Sequence, residues 1–230
     1  MNRIKKHFIT GTVLFALFIV FTVLVKVVDT ASIGPDDTII GFSSINVSVF
    51  KFLGESKGWF YVTEVLGIIS ILVAGAFAVY GLVQLIQRKS LKKVDYNILT
   101  LAIFYIIVVI FYAWFEVFVV NYRPVLVDGV IEASYPSSHT VLSVFILGSA
   151  MIQFHKIFEG KSKLLFALDA TSFTIIGFTV VGRLLSGMHW ITDIFGGLLL
   201  SVSLIFIYYA ALKYVENWIQ IKKIKKDLDE

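Results

Sequence analysis

The sequence predicts an all-α fold: a bundle of six transmembrane helices forming one membrane domain over residues 1–230, with both termini cytoplasmic. Three observations predict it. Hydrophobic residues make up 58% of the chain and the mean hydropathy is +0.87, well above the apolar share of a soluble domain. Six runs are long enough to cross the hydrocarbon as helices, which takes roughly 20 apolar residues each. The lysines and arginines gather between alternate runs, and that asymmetry sets the orientation.

The first run, 8–28, follows Arg3, Lys5 and Lys6. It exceeds the roughly 7–15 apolar residues of a signal-peptide core and is not followed by a small-residue cleavage site, so a retained signal anchor is expected. In residues 29–58, Gly34, Pro35, Asp36 and Asp37 form a turn signal. The mixed pattern from Ile45 to Leu53 fits equally a short interfacial helix, which could serve as a lid, and a plain structured loop. The second run, 59–87, is longer than a span needs, which allows tilt or extension beyond the bilayer. The remaining runs are 95–120, 139–157, 164–183 and 190–213, and the chain has no internal repeat.

Arg3, Lys5 and Lys6, then Arg88, Lys89, Lys92 and Lys93, then Lys156, Lys161 and Lys163, and finally Lys213 and the tail Lys222–Lys226 fall on one side. The other side holds Lys26, Lys51, Lys57, Arg123 and Arg183. The lysine-rich side is expected to be cytoplasmic, which makes this a multi-pass protein of the cytoplasmic membrane with its third and fifth loops extracytoplasmic. The net charge of +4 does not point to nucleic acid, because the lysines sit at span ends and form no patch interleaved with exposed aromatics. Anionic membrane lipid is the expected counter-charge, with no obligate protein partner. The absence of cysteine excludes disulfides, thiolate metal sites and cysteine nucleophiles.

Ionisable groups are costly near a bilayer, so a cluster of them marks a functional site. His189 and Asp193 are four apart at the start of the sixth run, which puts them on one helix face and lets Asp193 accept a hydrogen bond from the imidazole. That bond would orient the ring and leave its other nitrogen as a nucleophile. Tyr135-Pro136-Ser137-Ser138-His139 precedes the fourth run. A serine there caps the helix, and the uncovered amides of the first turn form an anion site. His139 is placed to protonate a leaving oxygen and then to activate water. Arg123 and Arg183 offer planar forks that match phosphate oxygens. Taken singly, these features would be a surface ion pair, a simple cap and interfacial anchors. Gly196 and Gly197 fit close helix packing better than ligand binding.

In combination, Arg123-Pro124, Pro136-Ser137-Ser138-His139 and Arg183-(x5)-His189-(x3)-Asp193 resemble the three signature motifs of the type 2 phosphatidic acid phosphatase superfamily, in its integral membrane branch, over a catalytic core of about 116–200. The resemblance implies that His189 attacks phosphorus to form a phosphohistidine, Asp193 supports it, and His139 is the acid. It implies that Arg123, Arg183, Ser137 and Ser138 bind the phosphate oxygens, with no cofactor and no metal. The substrate would be a lipid phosphate: a polyprenyl diphosphate, phosphatidylglycerol phosphate or phosphatidic acid. A lipid-linked phosphotransferase on the same fold and a non-catalytic lipid-phosphate binding or transport protein are the alternatives.

The chain departs from the family pattern at Glu116, where a lysine is usual, at Ser138, where glycine is common, and at Gly182, where serine is common. Glu116 is an accessory candidate expected to pair with Arg123 or Arg183; contact with a substrate head group and a feeble catalyst are the other readings. Glu64, near the outer end of the second run, is another acid within range of the site, though it is expected to face interfacial water, and Asp128 and Glu132 are expected to be solvated loop charges. His7 and His155 fall on the cytoplasmic side, away from the site. Trp59, Trp114, Trp190 and Trp218 are expected at span ends, near the membrane interface.

Overall fold

The structure, a computed structural model, describes residues 2–127 and 129–229; the expectation for Asp128 lies outside them. Among the described residues the chain forms seven α-helices: α1 Asn2–Val27, α2 Ser43–Leu53, α3 Lys57–Arg88, α4 Tyr96–Val117, α5 Ser138–Ile157, α6 Ser162–Leu185 and α7 Ile191–Asp229. All but α2 are long and apolar enough to span a bilayer. The six spans thus form as expected, and the protein is a multi-pass membrane protein.

Two spans are longer than a bilayer needs, α3 as expected and α7 beyond its expected end. At 1.5 Å per residue, α3 with its 32 residues reaches about 48 Å and α7 with its 39 about 58 Å. The sixth run was expected to end at 213. It continues as helix through the lysine tail because Val215, Trp218, Ile219, Ile221 and Ile224 keep supplying good or tolerable helix residues with no glycine or proline to stop them.

Sequence also explains which helices lie inside. α1, α3 and α6 are apolar on all sides and leave large side chains such as Leu17, Val65, Ile68, Ile71 and Phe173 exposed, as a lipid-facing surface requires. α5 instead carries Ser143, Gly148, Ser149 and Ala150 among its apolar residues, and it is the most enclosed span. Small residues let neighbouring backbones approach, and hydroxyls bond across the contact. Ser70 of α3 donates to Ser143 at 3.2 Å, and Asn97 of α4 donates to Gln153 at 2.7 Å. Phe104, Phe145 and Tyr208 pack edge to face or stacked in the centre, with ring centroids 5.3 to 6.3 Å apart.

The helices alternate in direction, so the 28–56 connection, the 118–137 loop and the 186–190 turn share one end of the bundle. Residues 29–58 resolve into structure there. A two-stranded ribbon, β1 Ala31–Ser32 and β2 Ile39–Ile40, is followed by α2. α2 is fastened to the start of α7: Asn46 Nδ2 donates to Gly41 O at 2.8 Å and to Thr192 Oγ1 at 3.0 Å, and Asn46 is fully buried. Of the two readings of this stretch, the short helix is the one that forms.

Candidate active site

The 134–137 segment and the 189–193 segment are stitched together at the end of the bundle. Ser137 N donates to Asp193 O at 3.0 Å, and Asp193 Oδ2 accepts from Trp190 N at 2.9 Å. Ser134 Oγ donates to the same carboxylate oxygen. Tyr135, almost fully buried, bonds Thr22 of α1 through its hydroxyl at 2.8 Å. The loop therefore has little freedom to leave the α7 terminus.

His189 is held by this stitching. Its Nδ1 lies 3.1 Å from Ser134 O and 3.1 Å from Ser134 Oγ. A carbonyl can only accept, so Nδ1 carries a proton, and in the neutral ring the lone pair is on Nε2. Nε2 has no hydrogen-bond partner. Asp193 Oδ2 is 3.7 Å from Nδ1, beyond hydrogen-bond length. The expected direct Asp193–imidazole bond is thus replaced by a bridge through Ser134, because that serine backbone reaches the ring first. Burial, reinforced by the charges of Arg123, Arg183 and His139, pushes the His189 pKa well below the ordinary imidazole value, against a small opposing effect of the Ser134 carbonyl. The shift favours the neutral ring, whose outward nitrogen is then unprotonated.

His139 occupies the first turn of α5, as expected. Ser137 caps that helix: its Oγ accepts from Thr140 N at 3.5 Å and from Thr140 Oγ1 at 3.1 Å. With its amide bonded to Asp193 and its oxygen used in the cap, Ser137 fixes the helix start from within the protein. Ser138 lines an open cleft together with His189, Ser134 and Glu116. That cleft is narrow and runs along Val108, Phe111 and Leu142 between α4 and α5. His139 Nδ1 and Arg183 Nε, like His189 Nε2, are buried and without a partner. Unmatched buried polar atoms are uncommon and call for an explanation; here all three belong to motif residues.

The acids depart from expectation. Arg123 Nε meets Glu132 Oε2 at 3.0 Å, and Arg183 Nη1 meets Glu64 Oε1 at 2.9 Å. Glu132 is therefore an ion-pair partner and more than a solvated loop charge. Glu64 faces the site, 3.3 Å from His139 Nε2, and is only half turned to water. The pairing expected of Glu116 with Arg123 or Arg183 does not form, since other acids engage both guanidinium groups. Glu116 is exposed in the last turn of α4, beside Tyr112 at the cleft. Trp190, directly before α7, is buried and donates to Tyr122 O at 2.8 Å. His155 pairs with Asp169 at 2.8 Å and His7 packs between Phe206 and Tyr209, both at the far end.

With this geometry in place, the comparisons have a definite meaning. Residues 117–216 match the model of the PAP2 superfamily, and that stretch contains both arginines, both histidines, the serines and Asp193. Over that stretch the chain is similar to the PAP2 superfamily. Among solved structures, it is similar to the transmembrane PAP2-type phosphatidylglycerolphosphate phosphatase from Bacillus subtilis, at 15% identity and a TM-score of 0.57, with 90% of this chain and 96% of that chain covered. At that identity the likeness is one of fold. No curated protein sequence matches it.

The PAP2 match starts at the end of α4, so the wall built by α3 is outside it. The sequence placed the motif residues, offered Glu64 as the less favoured of two readings, and gave no sign of two others, Ser134 and Asn121. Glu64 left a signal, an acid about two turns inside an apolar helix, which is costly unless it has a partner. Ser134 and Asn121, whose side chain bonds Gly41 N at 3.1 Å and also reaches Asp193, left none, since both sit in an irregular loop among other polar residues.

Proposed function

We propose that this membrane protein is a lipid phosphatase of the PAP2 type that works through a phosphohistidine on His189. One observation carries the reading: a neutral imidazole with its Nδ1 tied down and its Nε2 lone pair unopposed, within reach of the charges of two arginines and a second histidine. Binding alone needs the arginines and a helix start. It does not need an oriented nucleophile beside an acid.

In the proposed reaction the phosphate of a lipid phosphomonoester or diphosphate sits between Arg123, Arg183 and the first turn of α5 at Ser138, whose start Ser137 fixes. His189 Nε2 donates its lone pair to phosphorus as the bond from phosphorus to the leaving oxygen breaks. His139 gives that oxygen a proton. The positive charge that develops on the His189 ring is stabilised by Asp193, relayed through Ser134. Water then attacks the phosphohistidine with His139 accepting its proton; the P–N electrons return to Nε2 and inorganic phosphate leaves. The arginines hold the equatorial oxygens throughout. This scheme calls on no metal and no cofactor.

The same reading puts the site on the extracytoplasmic side of the cytoplasmic membrane, because the lysine clusters Arg88–Lys93, Lys156–Lys163 and Lys222–Lys226 lie at the opposite end of the bundle. The apolar cleft beside the site suits a lipid substrate, whether phosphatidylglycerol phosphate, phosphatidic acid or a polyprenyl diphosphate. The test is phosphate release by purified protein in EDTA on those three substrates. Release that is abolished in His189→Ala supports the reading, and no release from any of them refutes it.

A further inference from the structure

α3 presents Thr63, Glu64 and Gly67 to the site from outside the PAP2-matched stretch. Two glycines bring this helix in. A Cβ at Gly67 would lie 2.8 Å from His139 Cδ2, and one at Gly182 would lie 2.6 Å from Thr63 Cγ2. Neither distance is compatible with a side chain, so α3 can touch α5 and α6 this closely only because both positions are glycine. The result seats one oxygen, Glu64 Oε1, 3.3 Å from His139 Nε2 and 2.9 Å from Arg183 Nη1. Arg183, fully buried, has Thr63 Oγ1 as its other bonded neighbour at 3.2 Å.

We propose that Glu64 is a positioning residue of the reaction, acting through His139 and Arg183. The inference rests on the phosphatase reading of the same site. An acid present merely to offset a buried arginine would need contact with Arg183 alone. Glu64 divides one oxygen between the guanidinium that holds phosphate and the imidazole that must deliver a proton. It thereby fixes their relative placement, and its negative charge faces the imidazole that must carry the proton. The charged and titratable groups facing His139 are Glu64 from α3, Arg183 from α6, Arg123 from the 118–137 loop and His189 from the α6–α7 turn. Glu64 is the anion of that set, so removing its charge leaves the imidazolium opposed by two arginines.

The experiment is the pH dependence of phosphate release by the purified full-length protein in detergent, for wild type, Glu64→Gln, Glu64→Asp and His189→Ala. The substrates are short-chain phosphatidic acid, phosphatidylglycerol phosphate and undecaprenyl diphosphate. General acid–base catalysis contributes about 100- to 10,000-fold, so Glu64→Gln is expected to lower kcat by at least about 10-fold and to move the basic limb to lower pH. Glu64→Asp keeps the charge and is expected to recover part of both. A wild-type kcat and basic limb in Glu64→Gln would overturn the proposal, as would a fall in kcat with an unmoved limb and no recovery in Glu64→Asp. If Glu64→Gln does not fold, Glu64→Asp decides: the shortened side chain must lower kcat and shift the limb, and wild-type values reject the role. A wild type inactive on all three lipids instead defeats the phosphatase reading. Wild-type activity that His189→Ala abolishes and Glu64 variants ignore defeats this proposal alone.

Discussion

His189 Nδ1 and the carbonyl oxygen of Ser134 lie 3.1 Å apart, while the Asp193 carboxylate takes the hydroxyl of that same serine. The orienting carboxylate thus acts on the imidazole at one remove. Ser134→Ala keeps the carbonyl anchor and removes the hydroxyl bridge. A hydrogen bond to a charged group is worth about 1.5 to 3 kcal/mol, so kcat should fall by roughly 10- to 100-fold, less than in His189→Ala. In an Asp193→Asn background the same substitution should cost little, because the bridge has already lost its charged end. A double-mutant cycle on phosphate release measures this, and additive losses would show that Ser134 and Asp193 act separately.

The depressed pKa of His189 predicts where activity is lost in acid. The active form is the neutral ring, and protonating Nε2 removes the nucleophile. With the folded-state pKa well below 6.5, because of burial and then the nearby cations, the acid limb of kcat/KM attributable to this group should fall below pH 6.5. Stability follows the same sign. An unfolded chain takes up the proton near 6.5 while the folded one does not, so the fold is favoured fully above that value and progressively less as pH drops below it. Any substitution that admits water to the ring should move the acid limb upward toward 6.5. A limb at or above 6.5 in the wild type would contradict the neutral-ring geometry.

Most of the fold was legible because hydrophobic runs announce membrane helices directly: a span has to satisfy its backbone internally and has few ways to do so. Arg123, His139, Arg183, His189 and Asp193 were legible for a related reason, since charge that close to hydrocarbon requires a use. Glu116 and Glu64 show where the reading stops. Both are acids near the same end of the bundle, and the one expected to pair with an arginine is exposed while the one expected to face water is the partner. What decides between them is how closely α3 approaches α5 and α6 through Gly67 and Gly182, a tertiary contact with no local pattern. Ser134 was illegible for a similar reason, since its part depends on a carbonyl direction in an irregular loop.

Glu116 carries its own prediction. Lying unpaired with either arginine in a cleft shared with His189 and Ser138, its charge opposes an arriving phosphate. Water screens it, and two unit charges 4 Å apart in water interact by about 1 kcal/mol. Glu116→Gln should therefore raise kcat/KM for an anionic lipid, by up to about fivefold, most at low ionic strength. Lower activity in Glu116→Gln, measured by phosphate release at low and high salt, would mean that the carboxylate assists the substrate.

Gly196 tests the packing beneath the site. A Cβ there would fall 2.4 Å from Tyr135 Cε2 and 2.6 Å from its hydroxyl oxygen. Tyr135 is pinned by Thr22 and flanked by Phe18 and Phe115, so it has nowhere to withdraw except by moving the 134–137 segment. Overpacking of this kind costs about 1 to 3 kcal/mol. Gly196→Ala should lower thermal stability in detergent and, because Ser134 adjoins Tyr135, lower kcat as well. A stable but slow variant would show that the strain is passed to Ser134 and His189. Full activity would show that the loop absorbs it elsewhere.

Orientation can be tested cleanly because the chain contains no cysteine. Lys57, at the start of α3, lies at the end of the bundle that carries His189, and Lys92 lies at the other; both are exposed and neither belongs to the proposed machinery. Lys57→Cys should react with a membrane-impermeant maleimide in intact cells. Lys92→Cys should react only after the membrane is opened. The lysine asymmetry is what this reads, since a helical span has no structural preference for either direction and the difference in basic residues between its ends supplies one. The reverse labelling would put the site in the cytoplasm, and with it the pool of lipid phosphate the protein could reach.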